Sequence, residues 1–197
     1  MNKVHVSEIQ GPLTELFQQV GGENGRKRFE EFKLWLKNVA VQTLEGLIDL
    51  SQLCKLPFNG AERVSPAKSG IVKLERRADA LYLDGKKIEL FRSSSQEGDR
   101  YIVGHELRKE LEARGGNISA KVLDYLEEHP ELWPESWKKD GDGSTIYIYF
   151  WDDIFRNLAN GNLYVRFGYW NEGRVVSDYR WLDNDWNRHD PAASVAS

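Results

Sequence analysis

The sequence predicts an α+β protein with N-terminal helices, a small β-hairpin with a helix pair, and a C-terminal three-stranded antiparallel sheet rich in aromatic residues. Three observations predict it. Apolar residues recur at helical spacing in the first 56 residues and again over 103–129. An Asp84-Gly85 pair separates two short apolar runs, as a hairpin requires. Twelve of the fifteen Trp and Tyr residues lie at or after Gly116, most of them on three successive runs of alternating pattern.

Taken in order, residues 1–10 read as a loose arm or an edge strand. Gly11-Pro12 opens a short helix with Leu13, Leu16, Phe17 and Val20 on one side, closed by Gly21-Gly22. Asn24 caps a second helix that buries Phe29, Phe32, Trp35, Leu36, Val39 and Ala40. A third helix is expected through Leu44, Leu47, Ile48 and Leu50 to about Cys54, weakened by Gly46. Residues 57–70 are rich in Pro, Asn, Gly, Ser and Ala, which is loop chemistry. The expected organisation is therefore a helical segment over 1–56, a loop, hairpin and helix over 57–115, and a helix plus sheet over 116–197. Residues 57–197 can also be read as one domain.

In the hairpin, a four-residue loop over 84–87 pairs Leu83 with Ile88 and Leu81 with Leu90. That register is preferred to a two-residue turn, which sets Leu83 opposite Lys86. A helix over 103–114 turns Leu107 and Leu111 inward and ends at Gly115-Gly116. Asn117 or Ser119 caps the next, which buries Val122, Leu123 and Leu126 and stops at His129-Pro130. The first C-terminal strand separates Ile146, Ile148 and Phe150 from Tyr147, Tyr149 and Trp151. The second separates Leu163, Val165, Phe167 and Tyr169 from Tyr164, Arg166 and Trp170. The third separates Val175, Ser177, Tyr179 and Trp181 from Val176, Asp178 and Arg180. The Ala- and Ser-rich tail after Asp190-Pro191 is expected to fray.

Composition narrows the function classes. With 40% hydrophobic and 29% charged residues the chain is globular in character. It has no apolar run of the roughly 20 residues that span a bilayer, and its start lacks the apolar core of a signal peptide. The expectation is a cytoplasmic protein with no membrane partner. A single cysteine, Cys54, rules out an intrachain disulfide and a multi-cysteine zinc site. Residues 116–197 carry fourteen acidic against eight basic side chains, so the aromatic third is also acidic and duplex nucleic acid is disfavoured as a partner.

The succession His105-Glu106-Leu107-Arg108-Lys109-Glu110-Leu111, Val122-Leu123-Asp124-Tyr125-Leu126, His129-Pro130-Glu131-Leu132, Trp137-Lys138, Phe150-Trp151, Leu163-Tyr164-Val165-Arg166, Tyr169-Trp170 and Trp181-Leu182 covers roughly the last two-thirds of the chain. It resembles a group of uncharacterised hypothetical proteins of candidate-phylum bacteria. The resemblance implies a bacterial source and carries no activity, so it transfers no functional residue.

Local motifs for known chemistry are incomplete. His105-Glu106 lacks the second histidine of a zinc-protease helix, because position 109 is Lys. Asp140-Gly141-Asp142-Gly143-Ser144 matches the first half of a calcium loop, but Thr145 and Trp151 stand where that loop needs Gly and Glu. The helix pair has helix-turn-helix lengths, yet its second helix offers Lys121 against Asp124, Glu127 and Glu128. No cofactor or metal site and no catalytic grouping is expected. The functional reading is a non-enzymatic binding module for a protein partner or a second copy of the chain, through Tyr147, Tyr149, Trp151, Arg166, Trp170 and Trp181. The alternative is a carbohydrate-binding or carbohydrate-active protein, with aromatic platforms and an acid–base pair drawn from Asp152, Asp153, Asp178, Asp183 and Asp185. A cleft with one carboxylate shielded among rings favours the second reading; a flat aromatic face favours the first.

Overall fold

The computed structural model describes residues 45–195, together with 26, 27, 29–31, 33 and 34. The chain divides into two compact units, Met1–Glu45 and Gly46–Ser197. In the first unit, residues 26, 27, 29–31, 33 and 34 are helical and Glu45 lies in a turn. Phe29, expected inside, is exposed beneath the Lys33 ammonium, 4.5 Å from its ring centre. The arm over 1–10, the helix of Leu13 and Val20, and Phe32, Trp35, Leu36, Val39 and Ala40 lie outside the described residues.

The second unit is dominated by strands, and this overturns the expected architecture. Its strands are β1 (Leu47–Asp49), β2 (Ala61–Arg63), β3 (Ile71–Arg77), β4 (Ala80–Leu83), β5 (Lys86–Phe91), β6 (Ile102–Val103), β7 (Ile148–Asn157), β8 (Leu163–Asn171), β9 (Arg174–Trp181), β10 (Asp185–Trp186) and β11 (Ala192–Val195). The helices are α1 (Gly104–Arg114) and α2 (Ala120–Glu128). In place of a separate three-stranded sheet there is one mixed nine-stranded sheet, ordered β1-β3-β4-β5-β11-β7-β8-β9, with β2 also on β7. β6 and β10 form a small second sheet.

Two misread segments account for the difference. Residues Leu47–Asp49, expected as helix, form β1 against β3. Gly46 adopts φ of 80°, with its amide donating to the Tyr125 hydroxyl at 2.8 Å and its carbonyl accepting from Leu74 at 2.7 Å. A side chain at 46 would strike the Leu74 carbonyl, so a long-range approach overrides the local helical spacing. The tail is the second case. β11 is inserted at the centre, antiparallel to β5 and parallel to β7 through Ala192 and Tyr149. Ala192, Ala193 and Ser194 are all buried, with Ala192 and Ala193 in different cores. Small side chains suit a strand packed on both faces, and they carry none of the β-branched signal by which strands are usually read.

The hairpin uses the register that was not preferred. Leu83 faces Lys86 across a two-residue turn in which Asp84 and Gly85 have φ of 50° and 76°. These positive values match the twist of the flanking strands. Asp84 also accepts from the Lys73 amide at 2.8 Å, tying the turn to β3. The helix pair keeps its expected inward residues: Leu107, Leu111, Val122, Leu123 and Leu126 are fully buried. Ser119 caps α2 by accepting from the Lys121 amide.

Buried residues cluster on each face of the sheet around β7. One core gathers Leu123, Leu126, Trp133, Trp137, Ile148, Phe150 and Phe155. The other gathers Leu107, Leu111, Tyr149, Trp151, Ile154, Val165, Leu182 and Trp186. The pairing of β7 with β8 is shifted between Tyr149 and Ile154, and this bulge turns Asp153 into the interior. There Asp153 accepts from the Ser119 hydroxyl at 2.6 Å and the Ala120 amide at 2.7 Å, at the N-terminus of α2, with the Arg63 Nε 2.6 Å away.

Cys54 lies buried in the loop after β1. Burial, then the carboxylates of Asp153 and Asp124, push its thiol up to about 12. At pH 8 the thiolate fraction is then on the order of 10⁻⁴. The folded protein is expected to resist an aromatic disulfide reagent at pH 8 and to react with one equivalent in urea. Rapid labelling of the folded chain would contradict this environment.

Candidate functional site

One open cleft of about 570 Å³ lies where the start of β7, the middle of β8 and β9, and the turn before β11 meet. Its volume is in the range of small-ligand sites. Backbone pairing builds it: the Tyr147 amide donates to the His189 carbonyl and the Tyr149 amide to the Pro191 carbonyl, both at 2.9 Å. The chain approaching β11 is thereby laid along the start of β7. The turn is closed by the Asp190 carboxylate, which accepts from the Asn187 amide at 3.0 Å, and by the Asp190 amide donating to the Asn187 carbonyl at 3.1 Å. Gln96, fully buried, braces it from outside by donating to the carbonyls of Asn187 and Asp190 at 2.8 and 3.0 Å.

The floor is polar and enclosed by rings. Arg180 donates to Asp190 Oδ1 at 3.0 Å and to the Tyr149 hydroxyl at 3.1 Å, and the same hydroxyl reaches Asp190 Oδ1 at 3.4 Å. The guanidinium also lies 5.1 Å from the Trp186 ring centre. Burial raises the Asp190 carboxyl above the usual carboxylate range, against the opposing pull of the Asn187 amide and Arg180. Asp190 is the more enclosed partner of its ion pair, its side chain 2% exposed against 30% for Arg180, so desolvation outweighs the neighbouring positive charge. Burial and the Asp190 charge likewise raise the Tyr149 phenol.

The walls are aromatic. Tyr147 meets Phe167 edge-on at 5.7 Å and Tyr169 at 5.4 Å, and Phe167 lies 4.9 Å from Tyr149. Ser144, Thr145, Tyr179, Asn187 and His189 complete the lining. A second hollow, lined by Arg100, Tyr101, Asp185 and Arg188, shares Arg180, Asn187 and His189 with the first.

The six residues expected to form one contact face fall on two. Directly opposed residues share a face, and Tyr149 stands opposite Phe167 while Ile148 stands opposite Gly168. Tyr147 and Tyr149 therefore belong with Phe167, and both line the cleft, Tyr147 at 36% exposure and Tyr149 fully covered. Trp151 is buried on the same side, 5.4 Å from Trp186. Arg166 is buried on the other side, where it donates to Asp124 at 2.6 Å. Trp170 is half-buried on that side beneath the Lys138 ammonium, and Trp181 is half-buried opposite Tyr164.

None of the five aspartates expected to supply an acid–base pair lines the cleft. Asp153 is bound as described, Asp152 pairs with Lys68 at 2.7 Å, Asp178 accepts from the Tyr179 amide at 2.8 Å, and Asp183 meets His105 at 2.6 Å. Asp185 lines the second hollow. The cleft also holds Phe167, Arg180, His189 and Asp190, none of them among the six contact residues expected from the sequence. The tail expected to fray after Asp190-Pro191 is the buried strand β11, which fixes Asp190 beside β7, and nothing local in β9 distinguishes Arg180 from a solvated charge.

Among the described residues, no helix is long and apolar enough to cross a membrane. No protein-family model, curated protein or solved structure matches the chain.

Proposed function

We propose that this chain is a carbohydrate-binding protein and that its ligand sits in the cleft between Tyr147, Phe167 and the Arg180–Asp190 pair. The observation that carries the reading is the shielded ion pair at the foot of aromatic walls, of which the Tyr147 ring is exposed. Sugar rings offer apolar C–H faces that pack on aromatic side chains, and hydroxyls that both donate and accept. Arg180, 30% exposed, supplies donors to the cleft while the enclosed Asp190 holds its guanidinium in place, and Ser144, Thr145 and Asn187 add groups that donate and accept. The charge of Arg180 is already matched by Asp190, which favours a neutral polar ligand over an anion. The division of the Tyr and Trp residues between the two faces of the sheet weighs against the alternative of a broad aromatic surface for a protein partner.

The test is a panel of soluble mono- and disaccharides titrated calorimetrically into the protein. At least one is expected to bind with a free energy of about −4 to −7 kcal/mol, millimolar to ten micromolar. Tyr147→Ala should weaken that binding roughly 3- to 10-fold, and Tyr147→Phe should retain it, because the ring supplies the contact. Tyr147 is partly exposed, so neither change should unfold the protein. Failure of every sugar to bind would remove the reading.

A further inference from the structure

At the rim of the cleft, Asp140, Asp142 and His189 each present one ligand atom, and the three atoms lie within 4.8 Å of one another. We propose that these residues form a binding site for a divalent transition-metal ion, with Zn²⁺ the ion that fits the donor set. The proposal stands on the rim residues alone and does not depend on the nature of the cleft's ligand.

The carboxylates are oriented by the backbone of their own turn. Asp140 Oδ1 accepts from the amides of Ser144 at 2.9 Å and Asp142 at 3.2 Å, and Asp142 Oδ1 accepts from the Ser144 amide at 3.2 Å. Each carboxylate thus commits one oxygen to the turn and directs Oδ2 toward the residues at 188 and 189. Ligands held by such outer contacts are typical of metal sites. The turn itself is closed by the Asp140 amide donating to the Ser144 carbonyl at 3.0 Å and by the bridge between Lys139 and Thr145. His189 arrives from a distant segment, fixed by the Tyr147 amide on its carbonyl.

A second observation comes from the imidazole. His189 Nδ1 is out of contact with solvent and has no hydrogen-bond partner, although it lies 2.6 Å from Asp140 Oδ2. The two atoms face each other without the alignment that a shared proton requires. A common cation would take the Nδ1 lone pair once Arg188 leaves Nε2 and the imidazole proton moves there, with Nδ1 and Oδ2 parting from 2.6 Å to the roughly 3.3 Å that two ligands of a tetrahedral ion keep. The other ring nitrogen, Nε2, accepts from Arg188 Nε at 3.3 Å, and the same guanidinium pairs with Asp142 Oδ2. Arg188 therefore stands in for the ion, neutralising Asp142 and contacting the ligand imidazole. Loading requires it to swing away, which its half-exposed side chain permits.

The donor set selects the metal. One imidazole nitrogen and two carboxylate oxygens are ligands for Zn²⁺, which in open sites takes three protein groups and keeps a fourth position free. Ca²⁺ and Mg²⁺ favour all-oxygen shells with more ligands. His189 and Ser144 also line the cleft, so the free position would lie at its mouth.

The test titrates Zn²⁺ into the chelator-treated 197-residue chain by calorimetry, with Co²⁺ absorption as a report of coordination. One equivalent is expected to bind. His189→Ala and Asp142→Asn should each weaken binding at least about tenfold, and His105→Ala, remote from the rim, should leave it unchanged. Arg188→Gln should tighten binding, because the competing guanidinium is gone; a merely structural role for the cluster would not produce that gain. Absence of a stoichiometric site, or a site indifferent to both Asp142→Asn and Arg188→Gln, would overturn the proposal. The metal titration contains no sugar and the sugar panel is repeated with chelator present, so either can fail alone.

Discussion

Arg166→Ala is expected to lower stability by about 3–5 kcal/mol, read as a fall in the urea midpoint, because it strands a buried carboxylate. The side chains of Arg166 and Asp124 are 3% and 4% exposed and meet at 2.6 Å. Arg166 also donates to the Lys55 carbonyl at 3.0 Å and to the Ser177 hydroxyl at 3.1 Å, so one guanidinium joins β8, β9, α2 and the loop after β1. Without it, Asp124 keeps the Lys55 amide at 2.8 Å and a distant Lys121 ammonium at 3.9 Å. That is too little to hold a negative charge inside. The double change Arg166→Met with Asp124→Leu should cost clearly less than Arg166→Ala, since removing both charges also removes their desolvation. A loss below about 1 kcal/mol for Arg166→Ala would show that solvent or another cation reaches Asp124 freely.

Arg166 also illustrates what the sequence can and cannot reveal. An arginine alternating with aromatic residues on a strand reads the same whether it meets a partner or a carboxylate on the chain's own helix, and only the fold brings Asp124 to it. Within single elements the legible signal was strong. Leu107 and Leu111, the Gly115-Gly116 stop and the Ser119 cap defined the helix pair, and side-chain alternation along β7, β8 and β9 separated the right residues on each strand. What could not be read was which face of one strand belongs with which face of the next. That depends on register, and the bulge after Tyr149 hides it further. The nine-stranded sheet escaped for similar reasons. β1 follows helical spacing, and β11 reads Ala-Ala-Ser-Val, whose three small side chains suit a doubly covered centre but look like a tail. In the cleft, Tyr147 and Tyr149 were visible from aromatic density. Arg180, His189 and Asp190 depend on β11 entering the sheet beside β7, which no local pattern announces.

Gly104→Ala is expected to cost about 3 kcal/mol, at the upper end of ordinary overpacking, although the backbone there suits any residue. A methyl group on Gly104 would overlap Cζ3 of Trp186, lie 2.5 Å from its Cη2 and lie 2.6 Å from the Leu182 carbonyl oxygen. Alanine is the better helix former by up to about 1 kcal/mol, so any net loss is a lower bound on the cost of the clash. The indole has little room to retreat, being fully buried with Tyr149 at 5.6 Å, Trp151 at 5.4 Å and the Arg180 guanidinium at 5.1 Å. Trp186→Ala should itself cost about 3–5 kcal/mol through the cavity it leaves. In that background Gly104→Ala should lose much of its penalty, but not all, because the Leu182 carbonyl does not move with the indole. The same displacement should disturb Tyr149 and Arg180, so the near-ultraviolet dichroism of Gly104→Ala should change along with its midpoint. Two fully additive losses would mean that α1 shifts as a body to relieve the contact and that Trp186 is not what fixes its approach to the sheet.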